Sequence, residues 1–252
     1  VAELFEGQPR IQTEMRFSFG FAAVANRFDL SAKDLLANLK KVQRDNGIEP
    51  DKTLLPIEQT IETVEGKKPV KFFNFSVEME TGTGKTYVYL RTAFELFRRY
   101  GLRKFIVVVP SVAVREGVLK TLEITQKHLS ELYDNVPCRY YVYDSANLSQ
   151  VRQFALSENI EIMVMTIDSF NKASNVIRQT TDRLQGETPI HLVQAACPIL
   201  ILDEPQNMES ELRVAALAAL NPLFALRYSA THRNPYNLVH RLTPYEAYRQ
   251  GL

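Results

Sequence analysis

Seven adjacent residues, Glu80-Thr81-Gly82-Thr83-Gly84-Lys85-Thr86, carry the densest chemistry in the chain. They stand between an apolar run and a helical stretch, the context in which a glycine-rich loop wraps phosphates. Gly82 and Gly84 let the backbone curl so that successive N–H groups point inward, and the following helix adds the positive end of its dipole. Lys85 brings a full charge to the β- and γ-phosphates, and Thr86 offers a hydroxyl to Mg2+. The usual pattern opens on Gly or Ala, whereas this chain has Met79 there. The competing reading is a glycine-rich turn that merely precedes a helix. Agreement along the whole loop and at both flanks weighs against it.

A loop that holds a triphosphate needs a second strand to deliver a carboxylate. Pro198-Ile199-Leu200-Ile201-Leu202-Asp203-Glu204 fits, as an apolar strand ending in two acids. Asp203 is placed to hold Mg2+ through its water shell, and Glu204 to orient and deprotonate an attacking water. An acidic pair after a strand is ordinarily a solvated loop. Downstream of a phosphate loop in one alternating series, it reads as metal ligand and base.

The elements that must position these groups are legible from residue 71 onward. Short apolar runs at Phe72–Met79, Phe105–Val109, Arg139–Tyr143, Glu161–Thr166, Ile199–Asp203 and Ala225–Ser229 alternate with helical stretches. Several runs are apolar at every position, as strands buried on both faces of a parallel sheet are. The spacing predicts helices over Lys85–Tyr100, closed by Gly101, and over Ala113–Leu132 and Glu209–Leu220. Strand and helix in alternation predict an open α/β sheet, wound on both sides.

Residues 1–70 are expected to form an N-terminal helical and linker segment, which either packs on the sheet or forms its own lobe, and 71–252 the α/β domain. Ser31-Ala32-Lys33-Asp34 predicts a capping box with Leu30 stapled onto Leu35. Leu35, Leu36, Leu39 and Val42 recur at helical spacing, and Gly47 supplies the stop. Pro50–Lys68 is polar with two prolines and reads as a loop or linker with one short helical turn. The chain opens on Val1 rather than Met, with half a helix at Val1–Phe5, which points to a fragment of a longer protein.

Composition narrows the class. The chain has 252 residues, 45% apolar and 23% charged, which suits a globular protein and excludes collagen-like, low-complexity or wholly disordered chains. Thirty Lys and Arg against 29 Asp and Glu leave +1, so no uniformly basic grip on nucleic acid is available, although a local groove is. Two cysteines, Cys138 and Cys197, and four histidines make no zinc set and suit a reducing, cytoplasmic compartment. No apolar run approaches the ~18–20 residues that cross a bilayer.

Pro205-Gln206 follow the acidic pair, giving Asp-Glu-Pro-Gln, and Ser229-Ala230-Thr231-His232 closes the last of the runs. With the phosphate loop, these resemble motifs I, II and III of superfamily 2 helicases, in order. The three forms together look like the Res subunit of type III restriction enzymes. Val107-Val108-Val109-Pro110-Ser111 resembles motif Ia, and Met165-Thr166-Ile167-Asp168-Ser169-Phe170 the next DNA-contact motif. The resemblance spans residues 72 to 252. It implies a RecA-like P-loop NTPase domain, the first of two, with ATP and Mg2+ in the cleft between them. Loop residues Thr81 to Thr86 would bind nucleotide, Thr86 and Asp203 the metal, and Lys85 and Glu204 would act in catalysis. Gln206, Ser229 and Thr231 would couple hydrolysis to movement. Pro110, Ser111, Arg115, Thr166 and Ser169 would touch the backbone of double-stranded DNA. It further implies a modification (Mod) methyltransferase subunit as partner. The second motor domain and a nuclease domain would follow Leu252, and adenine contacts would precede Val1, so the fragment alone would hydrolyse ATP feebly at most. Two rivals remain open: a stand-alone helicase or type I restriction motor, and a docking module with a vestigial nucleotide site. The intact Lys85, Thr86, Asp203 and Glu204 oppose the latter.

Other constellations carry less. Pro50-Asp51 with Glu65-Gly66-Lys67 mimics a PD…ExK nuclease signature, but its flanks show no alternating strand pattern, and a shared metal needs both halves on adjacent strands. His128, His191 and His240 have no acid or nucleophile at a telling spacing. Tyr140, Tyr141 and Tyr143 suit strand packing better than base stacking.

Overall fold

Runs apolar on both faces can be buried only in the middle of a layered structure, and that is where they lie. The structure, a computed structural model, describes residues 1–12, 15–18, 21–172, 174–180, 188–249 and 251. In chain order the strands are β1 (Met15–Ser18), β2 (Phe21–Val24), β3 (Pro56–Thr63), β4 (Gly66–Met79), β5 (Lys104–Val109), β6 (Cys138–Val142), β7 (Ile160–Thr166), β8 (Ile199–Asp203), β9 (Phe224–Ser229) and β10 (Leu238–Leu242). The helices are α1 (Ala32–Asp45), α2 (Lys85–Tyr100), α3 (Val112–Leu132), α4 (Ser149–Leu156), α5 (Pro189–Ala196), α6 (Glu211–Ala218) and α7 (Pro244–Arg249).

The main sheet runs β10-β4-β9-β8-β5-β7-β6, parallel throughout, with β3 antiparallel on the N-terminal half of β4. Alternate residues of each strand feed opposite cores. Phe105, Val107 and Val109 face the core shared with α1, α2 and α3, whereas Ile106 and Val108 face that of α4, α5 and α6. The phosphate-loop strand β4 and the acid strand β8 are separated by one strand, β9, and all three deliver their C-terminal ends to one edge. This is the RecA-like arrangement, an open, mostly parallel sheet with helices on both faces.

Three expectations are corrected. Pro50–Lys68 is not a linker: β3 and the first residues of β4 form a hairpin from Pro56↔Phe73 to Thr63↔Gly66. The boundary expected at residue 70 falls inside β4. The strand ending in Ser229 is not the last, since β10 follows it and adds in parallel to the outer side of β4. Helix α1 does form, with the Ser31 hydroxyl accepting from the Asp34 N–H at 3.1 Å, a cap that contributes about 1 kcal/mol.

The N-terminal residues are stitched to the sheet. Phe5 stacks on Phe224 with centroids 4.6 Å apart, and Gln43 donates to the Leu238 carbonyl at 2.9 Å. Asn26 accepts from the Arg103 N–H at 2.8 Å and donates to the Lys104 carbonyl at 2.9 Å. Asp51 and Gln43 exchange two hydrogen bonds, which occupies the aspartate of the nuclease mimic, while Glu65 sits in the hairpin turn.

The opposite end of β5 holds a fully buried lysine. The Lys104 ammonium donates to the Ser157 carbonyl and lies 5.7 Å from the centroid of the Phe154 ring. Burial holds its pKa down at about 7, despite Glu161 beside it on β7. Above that pH the folded protein has released a proton that the unfolded chain keeps until 10.5. This group therefore makes stability rise with pH between those limits, because the unfolded state binds more protons there. Lys104→Met should flatten the rise when denaturant midpoints are compared across the interval. An unchanged slope would place its origin elsewhere.

Candidate functional site

The loop after β4 turns through two left-handed glycines, Gly82 and Gly84, both at φ +85. A side-chain carbon added at either would meet nothing within 4 Å, so the backbone faces open space at both positions. Glu80 shapes the turn: its carboxylate accepts from the Thr81 N–H at 2.8 Å, and its carbonyl from the Thr83 hydroxyl at 2.7 Å. Gly84 caps α2, so Lys85 and Thr86 begin a helix whose free N–H groups point at the loop.

Across the cleft, β8 ends at Asp203 and the chain reverses through Glu204. Its left-handed backbone, φ +53 and ψ +57, costs roughly 1–3 kcal/mol in a non-glycine residue. Pro205 follows immediately and starts a short 3-10 turn. This reversal aims the Glu204 carboxylate at the loop, where one oxygen pairs with the Lys85 ammonium. The other accepts from Gln206 at 2.7 Å and from Ser229 at 2.9 Å. Ser229 also contacts the Gln206 amide oxygen at 2.9 Å and accepts from the Thr231 N–H at 3.3 Å. Residues from β4–α2, β8 and β9 thus converge on one carboxylate.

The two acids are driven apart electrostatically. Burial and the charge of Glu204 push Asp203 up to about 6, against the pull of Lys85. Burial also works against Glu204, but Lys85, Gln206 and Ser229 outweigh it and hold that carboxyl below its ordinary value. At neutral pH both are acceptors, with Glu204 wholly engaged. A phosphate that drew Lys85 away would free one of its oxygens.

The expected DNA-contact residues lie on the same edge of the sheet, at the ends of the neighbouring strands β5 and β7. Pro110 is half-buried and Ser111 exposed. Ser111 caps α3, accepting from the Val114 N–H at 3.3 Å, which leaves its own proton to donate. Arg115 turns to Glu116 at 2.8 Å, so its charge is shared rather than free. The Thr166 and Ser169 hydroxyls bond each other at 2.8 Å. Of the remaining histidines, His128 meets the Tyr87 hydroxyl at 2.9 Å, and His240 lies at the far edge beside Asn46.

A sequence profile described as "Type III restriction enzyme, res subunit" matches residues 50–234, which contain the phosphate loop, the acidic pair and the expected DNA-contact residues. The chain belongs to the Res-subunit family of type III restriction enzymes. Its curated relatives include the EcoP15I Res subunit of Escherichia coli, 28% identical over 88% of this chain and 24% of that protein. The EcoPI Res subunit of Escherichia phage P1 is 26% identical over the same shares. The StyLTI Res subunit of Salmonella typhimurium is 30% identical over 63% of this chain and 18% of that one. This Res-family chain therefore spans about a quarter of the length of the curated relatives it matches. Solved structures that overlay on it include the UvsW helicase of bacteriophage T4, at TM-score 0.40 and 12% identity, covering 68% of this chain and 54% of that one. Another is the DUF1998 helicase MrfA bound to DNA and AMPPNP, at TM-score 0.41 and 16% identity, covering 64% and 22%.

The donor set of this Res-family chain fits Mg2+. Thr86 and Asp203 supply hard oxygens, and Mg2+ is commonly held by one or two carboxylates plus substrate phosphates rather than by a protein cage. Among the described residues, no group of three or more His, Cys, Asp or Glu could by itself hold a metal ion. Sequence reasoning missed Tyr89, which lies beneath the loop and donates to Asp203 at 3.3 Å. Its signal was the spacing of three from Thr86, which puts both on one side of α2.

Proposed function

We propose that this chain is the first motor domain of a type III restriction endonuclease Res subunit, which binds Mg-ATP and couples its hydrolysis to movement or switching on double-stranded DNA. The observation that supports this reading most is the direct pairing of Lys85, on the phosphate loop, with Glu204, on the acid strand. In the proposed cycle the triphosphate displaces Glu204 from Lys85, and the loop N–H groups from Thr81 to Thr86 take the phosphate oxygens. Thr86 and Asp203 would hold Mg2+, which when bound would supply neutralising positive charge beside the triphosphate. Glu204, released from the ammonium, accepts a proton from a water in line with the γ-phosphate. Gln206 and Ser229 keep that carboxylate oriented, and Thr231 passes its state to the loop beyond β9.

DNA would lie across the ends of β5 and β7, against Pro110, Ser111, Arg115, Thr166 and Ser169, with phosphate contacts that set position rather than sequence. A Mod methyltransferase subunit would supply sequence reading, and a separate nuclease domain the cut. No helix among the described residues is long and apolar enough to cross a membrane.

The test is a titration of the chain with a fluorescent ATP analogue in Mg2+. Saturable binding, displaced by ATP but not by adenosine, is expected. No binding at saturating analogue would remove the nucleotide reading.

A further inference from the structure

Tyr89, on α2 three residues after Thr86, is fully buried, 0% exposed. Its ring lies 5.4 Å from that of Tyr228, whose own hydroxyl is taken up by Thr92 at 3.4 Å. The Tyr89 phenol instead donates to Asp203 Oδ2 at 3.3 Å. One buried hydroxyl on the loop helix therefore holds the acid-strand carboxylate assigned above to the metal.

The linkage has a direction. A carboxylate that ligates through one oxygen is fixed in orientation by a donor on the other, and partners of this kind are worth 10–100-fold in metal affinity. The phenol proton is such a donor.

We propose that Tyr89 is a positioning residue of the metal site, its phenol proton fixing the Asp203 carboxylate so that the other oxygen is turned towards one divalent cation. The proposal rests on the nucleotide reading above and names the residue that makes that site selective for a metal-bound nucleotide.

The experiment measures Mg2+ half-saturation for binding of a fluorescent ADP analogue, together with affinity for the same analogue in EDTA. Wild type, Tyr89→Phe and Tyr228→Phe are compared, and Mn2+ binding by electron paramagnetic resonance gives a direct readout of the metal. Tyr89→Phe should raise the Mg2+ half-saturation about tenfold, weaken Mn2+ binding to match, and leave affinity in EDTA unchanged. Tyr228→Phe, which removes a neighbouring buried hydroxyl that touches neither ligand, should change none of these. Wild-type metal dependence in Tyr89→Phe overturns the proposal while the nucleotide reading stands. An equal shift in Tyr228→Phe also overturns it, because the effect would then be one of packing. Wild-type protein that binds no nucleotide overturns both.

Discussion

Lys85→Ala should lower affinity for Mg-ATP about 100-fold and cut ATP turnover in the parent protein by a further factor of about 1,000. The first figure follows from losing one or two charge-assisted hydrogen bonds to phosphate, at ~1.5–3 kcal/mol each. The second follows from losing a preorganised positive charge where negative charge develops, typically 10²–10³ in rate. The same substitution strips Glu204 of its ion partner but leaves Gln206 and Ser229 on its other oxygen, so the fold should persist. Turnover of ATP at the unmodified rate would sink the phosphate-loop assignment. Equilibrium binding and steady-state hydrolysis, measured on the same preparation, separate the two contributions.

Glu204→Gln separates binding from chemistry in the opposite sense. Loss of a general base lowers the hydrolytic rate roughly 10²–10⁴-fold. Affinity should not fall with it. In the resting protein the Glu204 carboxylate holds the ammonium that the phosphates need. A neutral amide competes less for Lys85, so ATP should bind several-fold more tightly. The amide oxygen can still accept from Ser229, which limits disturbance of the Gln206 contact. Tight binding with arrested turnover is the expected pair of results. A normal rate would take the base role away from Glu204, and weaker binding would contradict the competition between nucleotide and carboxylate.

What the sequence disclosed followed from burial. Strands such as β5 and β8 are enclosed on both faces, so apart from Lys104 and Asp203 at their ends they are apolar and stand out without a partner in view. The edge hairpin did not. Strand β3 mixes Ile57 and Ile61 with Glu58, Gln59 and Glu62, and it begins at Pro56. A proline is tolerated at the first position of an edge strand, yet in the sequence it reads as a linker. Strand β10 was hidden for a related reason: five residues including His240 and Arg241 make too weak a pattern, and only the free edge of β4 recruits them. At the site, residue types disclosed Lys85, Asp203 and Glu204, but not that Lys85 and Glu204 pair. That contact depends on the left-handed turn at Glu204, a backbone state that no side-chain pattern announces. Tyr89 was absorbed into the apolar face of α2, because a phenol packs there as readily as a phenylalanine does.

The interposed β9 has a consequence for how this motor can change over time. Glu78 is level with Ser229, and Tyr228 with Asp203, so the phosphate-loop strand and the acid strand stand two hydrogen-bonded steps apart, roughly 10 Å. That interval is a gauge fixed by the peptide backbone, as rails are fixed by their sleepers. Exchange of side chains along either rail can alter which ligand fits, or how tightly, but cannot widen the track. Lineages that diverge in what they bind should therefore keep this bore unchanged and differ at the strand tips and in the loops beyond them.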